Sequence, residues 1–205
     1  MQTVPVDHIP TRQPLRPVAY TGEPAPLPAG VGDEDPRPLV YLTLGTVYNG
    51  ASALQAAVEG LADLGARVLV TVGPDGDPGA LGPVPAHVTV TRWVNQADVL
   101  PHCAAVVSHG GSGTFLGALG LGLPQLCLPQ AADQFRNAAA AVSTGTGLAL
   151  APDAATPDAV RDAVRRILLE DDFRRAAAVL ADTIRAMPGP TEVVTLLERQ
   201  VLDRR

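Results

Sequence analysis

The sequence predicts an α/β fold: a six-stranded parallel sheet wound on both faces by helices, with further helices at the C-terminus. Two observations carry this. Six short apolar runs, at 39–44, 67–72, 88–91, 104–107, 124–128 and 147–150, have strand length and are mostly bounded by glycine, proline or polar breaks. Helical patterns lie between them, and strands that alternate with helices imply parallel pairing with helices on both faces.

The first 38 residues hold nine of the twenty prolines. Such a stretch makes neither helix nor inner strand and reads as an extended linker or wrapping arm, so the domain is taken as 39–205. Ala53, Leu54, Ala57, Val58 and Leu61 recur at helical spacing within 51–64. A short helix is expected at 96–102, and longer ones at 112–121 and 133–143. After residue 150 the chain is helical. Thr156-Pro157-Asp158 has the form of an N-cap followed by proline at the first helical position, opening 157–170; helices near 171–186 and 190–203 complete the domain.

Composition bounds the function. Charged residues make up 18% of the chain and apolar residues 46%, which suits a folded domain and not a disordered one. With 3% aromatics, the core must come from Ala, Val and Leu. All fifteen basic residues are arginine, which reflects codon bias in a GC-rich genome. The net charge of −6 and the lack of a basic stripe argue against nucleic acid as a partner. Cys103 and Cys127 sit in apolar contexts and read as small buried hydrophobes in a reducing compartment. No stretch approaches membrane-spanning length and the N-terminus has no charged start before an apolar run, so a cytoplasmic protein is expected.

Three polar clusters follow three of the strands. After 104–107 come Ser108, His109, Gly110, Gly111, Ser112, Gly113 and Thr114, then a helix. Amides at a glycine-rich turn, backed by the positive end of a helix dipole, form a seat for a phosphate or diphosphate. His109 adds a ring N–H, and Ser112 and Thr114 add hydroxyls. After 88–91 come Trp93, Val94 and Gln96; the indole suits either a stacked nucleobase or a place in the core. After 124–128 come Asp133 and Gln134, which can read a polyol, although taken alone helix capping by Asp133 is the favoured reading. Ligands in such sheets sit beyond the carboxyl ends of the strands, near the switch in strand order. Together the clusters describe a nucleotide-sugar site. Asp75 and Asp77 resemble a metal-binding Asp-x-Asp pair, but their Gly/Pro surroundings make them turn residues, and no metal or other cofactor is expected.

The run Trp93, Gln96, Leu100, His102, His109 to Thr114, Gly122-Leu123-Pro124 and Asp133-Gln134 resembles the donor-binding signature of the family 1 (UGT-like) glycosyltransferases. It is most similar to the bacterial branch that decorates macrolides and polyketides. Val40 to Thr46 resembles the first strand and loop of that family's C-terminal domain. The resemblance implies one Rossmann-like half of a GT-B fold. It implies that Trp93 stacks on the pyrimidine with Val94 and Gln96 beside the nucleoside. It further implies that His109, the amides of Gly111, Ser112 and Gly113, and the Thr114 hydroxyl hold the diphosphate, with Thr46 near the phosphates or the acceptor cleft. His109 would stabilise the leaving group, and Asp133 and Gln134 would bind the sugar. Plant members carry a glutamate for the ribose hydroxyls where this chain has Gly117, which points to a dTDP-hexose, with a UDP-hexose as the alternative. The expected activity is inverting transfer of a hexosyl group to an acceptor hydroxyl. The family's general base lies on an N-terminal acceptor domain that 38 residues cannot supply, so a separate partner domain or a homo-oligomer is expected. A non-catalytic nucleotide-sugar-binding subunit is the other reading. An unrelated dinucleotide-binding protein is disfavoured, because no Gly-x-Gly-x-x-Gly follows the first strand.

Overall fold

A computed structural model describes residues 12–18, 23, 25–32, 35–45 and 51–202. Six parallel strands form one sheet: β1 (Leu39–Thr43), β2 (Arg67–Thr71), β3 (Val88–Thr91), β4 (Ala105–Ser108), β5 (Gln125–Cys127) and β6 (Gly147–Ala149). Their order is β3-β2-β1-β4-β5-β6, so the chain builds outward from β1 and then returns to its other side at β4. The switch in strand order therefore lies between β1 and β4, whose last residues, Thr43 and Ser108, are paired. This is the Rossmann-like α/β arrangement that the alternating pattern implies.

Strand periodicity divides the core. Val40 and Leu42 of β1 point to one face, where they meet Leu54, Val58 and Leu61 of α1 (Ala51–Ala62) and Val160, Val164 and Ile167 of α5 (Pro157–Leu169). Leu39 and Tyr41 point to the other face. They pack with Val99 of α2 (Gln96–Val99), the following turn at Leu100, and Ala118 of α3 (Ser112–Gly120). Further along that face, Phe115 and Leu119 of α3 join Ala138 and Ala141 of α4 (Gln134–Ser143) over Cys127. All five residues of β1 are buried, as the central strand of a doubly covered sheet requires.

Local chemistry sets the helix ends. Thr156 Oγ1 accepts from Ala159 N at 3.3 Å, with Pro157 at the first helical position, as the sequence signal predicts. Extended backbone at Glu170 separates α5 from α6 (Asp171–Arg185). Arg174 and Arg175 of α6 pair with Asp171 and Asp172 one turn earlier. The last helix, α7 (Pro190–Leu202), leaves Val194, Leu197 and Leu202 exposed. No helix among the described residues is long and apolar enough to cross a membrane.

The described pieces of the proline-rich segment lie against the domain. Arg16 N donates to Pro188 O at 2.9 Å, Ala25 N to Asp98 Oδ2 at 3.2 Å, and Arg67 Nη1 to Gly30 O at 2.9 Å. Val31 is buried with Leu39 and Tyr41.

Candidate functional site

The turn after β4 is built around His109. Gly110, at φ 80°, takes the left-handed conformation that turns the chain into α3. Gly110 N donates to Ser108 Oγ at 3.0 Å, and Gly110 O accepts from Asn137 Nδ2 at 2.8 Å, so the turn is held from both sides. The imidazole lies against two glycines. A Cβ on Gly45 would stand 2.8 Å from its Cε1, and one on Gly111 2.3 Å from its Nε2. Gly45 lies two residues beyond the end of β1, so the ring occupies the β1–β4 switch point. Thr46 itself lies outside the described residues.

No hydrogen bond of full geometry reaches the buried His109 Nδ1, although the Thr43 backbone lies close enough to the ring to favour its charged form, and Nε2, at the Gly45–Gly111 edge, is the nitrogen left for a ligand. Burial lowers the ring's pKa below 6.5, with the Thr43 backbone and the Asp133 charge opposing. The ring is therefore neutral near pH 7. Gly111 is the N-cap of α3 and has no side chain to satisfy the first amides of the helix. Those amides and the dipole behind them are open to an anion.

Beside this turn lies a cleft of about 660 Å³, lined by Trp93, Val94, Gln96, Thr114, Gly117 and Leu121 among others. Gly113, Gly117 and Gly120 also line it; a Cβ at 113 or 120 would meet nothing within 4 Å, and one at 117 only Leu100 Cδ1 at 3.6 Å. Spaced four and three residues apart, they keep that side of α3 flat. Trp93 is 57% exposed, so the core-filling alternative for the indole does not hold. β3 is an edge strand, and the segment after it carries Trp93 and Gln96 back across the sheet to α3. Gln96 Nε2 donates to Thr114 Oγ1 at 3.1 Å and to Tyr41 Oη at 3.3 Å, and Tyr41 Oη shares a hydrogen bond with Thr71 Oγ1 at 3.0 Å. That network anchors the wall of the cleft to β1 and β2.

Asp133 does not cap α4. Its Oδ2 accepts from Ser112 Oγ at 2.6 Å, and Asn137 Nδ2 also donates to Ser112 Oγ at 3.2 Å. The Ser112 hydroxyl, helped by Asn137 and by His109, holds the exposed carboxyl below its usual range. The preceding Ala132 has φ 54° and is the one non-glycine residue with positive φ among those described. Gln134 is buried, and its Oε1 accepts from Gln130 N at 2.7 Å and Ala131 N at 3.0 Å. That oxygen braces its own loop, leaving the amide NH₂ as the end that can serve a ligand.

Six predicted residues (Trp93, Val94, Gln96, Ser112, Gly113 and Thr114) thus line one cleft. His109 and Gly111 adjoin it at the head of α3, and Asp133 reaches it through Ser112. The sequence reading did not single out Asn137, Tyr41 or Gly45. Asn137 lies one helical turn after Asp133, a spacing that places both on one face. Asp77 accepts from Gly79 N at 3.0 Å, a turn role. Among the described residues no group of three or more His, Cys, Asp or Glu side chains is placed to hold a metal ion. Burial pushes the Cys103 and Cys127 thiols up to about 12.

Residues 55–200 match the family described as erythromycin biosynthesis protein CIII-like, C-terminal domain. The elloramycin glycosyltransferase ElmGT of Streptomyces olivaceus is 44% identical over 189 residues, 89% of this chain and 47% of that protein. The glycosyltransferase VinC, solved in complex with DTDP, superposes with a TM-score of 0.81 at 33% identity over 96% of this chain and 50% of its own. Streptomyces sp. SF2575 glycosyltransferase SsfS6, complexed with thymidine diphosphate, gives 0.74 at 29% identity over 91% and 48%. The chain spans about half the length of the curated relatives it matches.

Proposed function

Since the chain belongs to the erythromycin biosynthesis protein CIII-like C-terminal domain family, we propose that it binds a nucleoside-diphosphate sugar, a dTDP-hexose before a UDP-hexose, and serves as the donor half of a glycosyltransferase acting on a natural product. One observation carries the reading: an uncapped helix start at Gly111–Thr114, with His109 wedged beside it, opens onto a cleft with an exposed tryptophan on its wall. Trp93 stacks on the pyrimidine and Gln96 meets the nucleoside. His109 Nε2, the Gly111–Gly113 amides and the Thr114 hydroxyl take the diphosphate, and Asp133 with the Gln134 amide takes the sugar hydroxyls. The α3 face at Gly117 offers no carboxylate to a ribose 2′-hydroxyl, which favours deoxyribose.

In the transfer, an acceptor oxygen attacks the anomeric carbon opposite the diphosphate. The new C–O bond forms as the bond to the phosphate oxygen breaks, which inverts the centre. The acceptor proton passes to a base outside these 205 residues, which the resemblance puts on the family's N-terminal domain. Charge growing on the leaving diphosphate is met by amides, dipole and imidazole already in place, so the reaction needs no cation. The exposed apolar residues of α7 suit contact with that domain.

Titration calorimetry of the 205-residue chain with dTDP and UDP, with and without EDTA, tests the reading. Micromolar dTDP binding, weaker UDP binding and no effect of EDTA are expected; no binding of either diphosphate refutes it. Transfer on adding an N-terminal half distinguishes an enzyme from a binding subunit.

A further inference from the structure

We propose that Asp133 holds the Ser112 hydroxyl at the edge of the diphosphate seat, and that donor sugar draws it away whereas nucleoside diphosphate alone does not; this rests on the nucleotide-sugar reading above. Ser112 is the first residue of α3, and its hydroxyl has one proton to give. That proton goes to Asp133 Oδ2 at 2.6 Å, the length of a charge-assisted bond. Asn137 Nδ2 fills an acceptor position of the same hydroxyl at 3.2 Å. A phosphate oxygen approaching Ser112 therefore meets a donor already in use and a carboxylate of like charge beside it.

The two possible ligands differ in what they offer that carboxylate. A diphosphate alone brings only acceptors, so Asp133 must either give up its partner or stand against a second anion. A sugar diphosphate brings hydroxyl donors. Asp133 can then leave Ser112 for them and stay hydrogen-bonded, while the Ser112 proton passes to the phosphate. The side chain has room for a second position: Asp133 is exposed and makes no cap bond to α4. Coupled in this way, one carboxylate favours the loaded donor over the spent diphosphate and promotes release of the by-product. A plain staple between α3 and α4 has no such asymmetry.

The test is calorimetry of dTDP and dTDP-glucose against the wild-type chain, Asp133→Asn and Ser112→Ala. Asp133→Asn keeps the shape and an acceptor for Ser112 but removes the charge. It is expected to bind dTDP about fivefold tighter or more, the scale of one unit-charge pair at hydrogen-bonding range in water, and to bind dTDP-glucose more weakly than wild type. Ser112→Ala is expected to weaken both. Wild type binding dTDP while Asp133→Asn binds it no tighter overturns the inference and leaves the site reading intact. Failure of the wild type to bind either compound overturns the site reading and the inference with it.

Discussion

Replacing Gly111 with alanine isolates the contribution of the His109 position. Gly111 has φ −62° and ψ 139°, an extended conformation that alanine adopts freely, so the backbone itself raises no objection. The added Cβ stands 2.3 Å from Nε2, whereas ordinary contact begins at 3.4 Å, so the ring must retreat by about 1 Å. Gly45 lies against the same edge of the ring, so a Cβ there, 2.8 Å from Cε1, would press on it as well. A hydrogen bond from the imidazole to a charged phosphate contributes about 1.5–3 kcal/mol and is lost at that displacement, so dTDP affinity should fall roughly ten- to hundredfold. Alanine is a poorer N-cap than glycine, costing about 1 kcal/mol, which lowers Tm by about 2–4 °C in a domain this size. Calorimetry with dTDP and a thermal melt measure the two effects. The decisive arm is the double variant. In a His109→Ala background the ring is gone, so Gly111→Ala should cost little further affinity. Equal losses in both backgrounds would refute the wedge and point to the helix amides instead.

Three other outcomes follow from the geometry. Trp93→Ala removes an exposed indole from the cleft wall and should weaken dTDP binding by about 1–3 kcal/mol in calorimetry while leaving Tm near wild type. Leu61→Ala opens a cavity at a fully buried position between α1 and the sheet, and should cost about 2–5 kcal/mol in urea unfolding without changing the ligand preference. The His109 pKa is lower folded than unfolded, so below pH 6.5 the unfolded chain takes up the proton first. Stability contributed by the neutral, half-buried ring is present above pH 6.5 and lost as pH falls towards the folded value. His109→Gln should flatten that part of a stability-versus-pH curve; an unchanged slope would assign it to other groups.

The strands and helices were legible because each carries its own period: Val40 and Leu42 against Leu39 and Tyr41, and Val160 and Val164 along α5. The lateral order of the strands was not, because no periodicity records which strand lies beside β1; only the paired Thr43 and Ser108 place the switch. The glycine turn was legible from Gly110, whose positive φ excludes most other residues. Asp133 was harder to read. Its position at the head of α4 suggests a cap, yet a serine 21 residues earlier takes its carboxylate, a contact that depends on how α3 and α4 meet. Gln134 likewise gives its oxygen to Gln130 and Ala131, a loop closure that no spacing rule encodes. The proline content of the arm foretold the lack of helix among its described residues but not that Val31 would enter the core with Tyr41.

The three glycines that flatten α3 also govern when the site comes into being. Each costs a helix up to about 1 kcal/mol relative to alanine, so a nine-residue segment with three of them has little tendency to coil alone. Its order is borrowed from Phe115, Ala118 and Leu119, which are fully buried under neighbouring elements. The amides at the head of α3 therefore line up only after the sheet has consolidated, which makes that end of the helix a late product of folding.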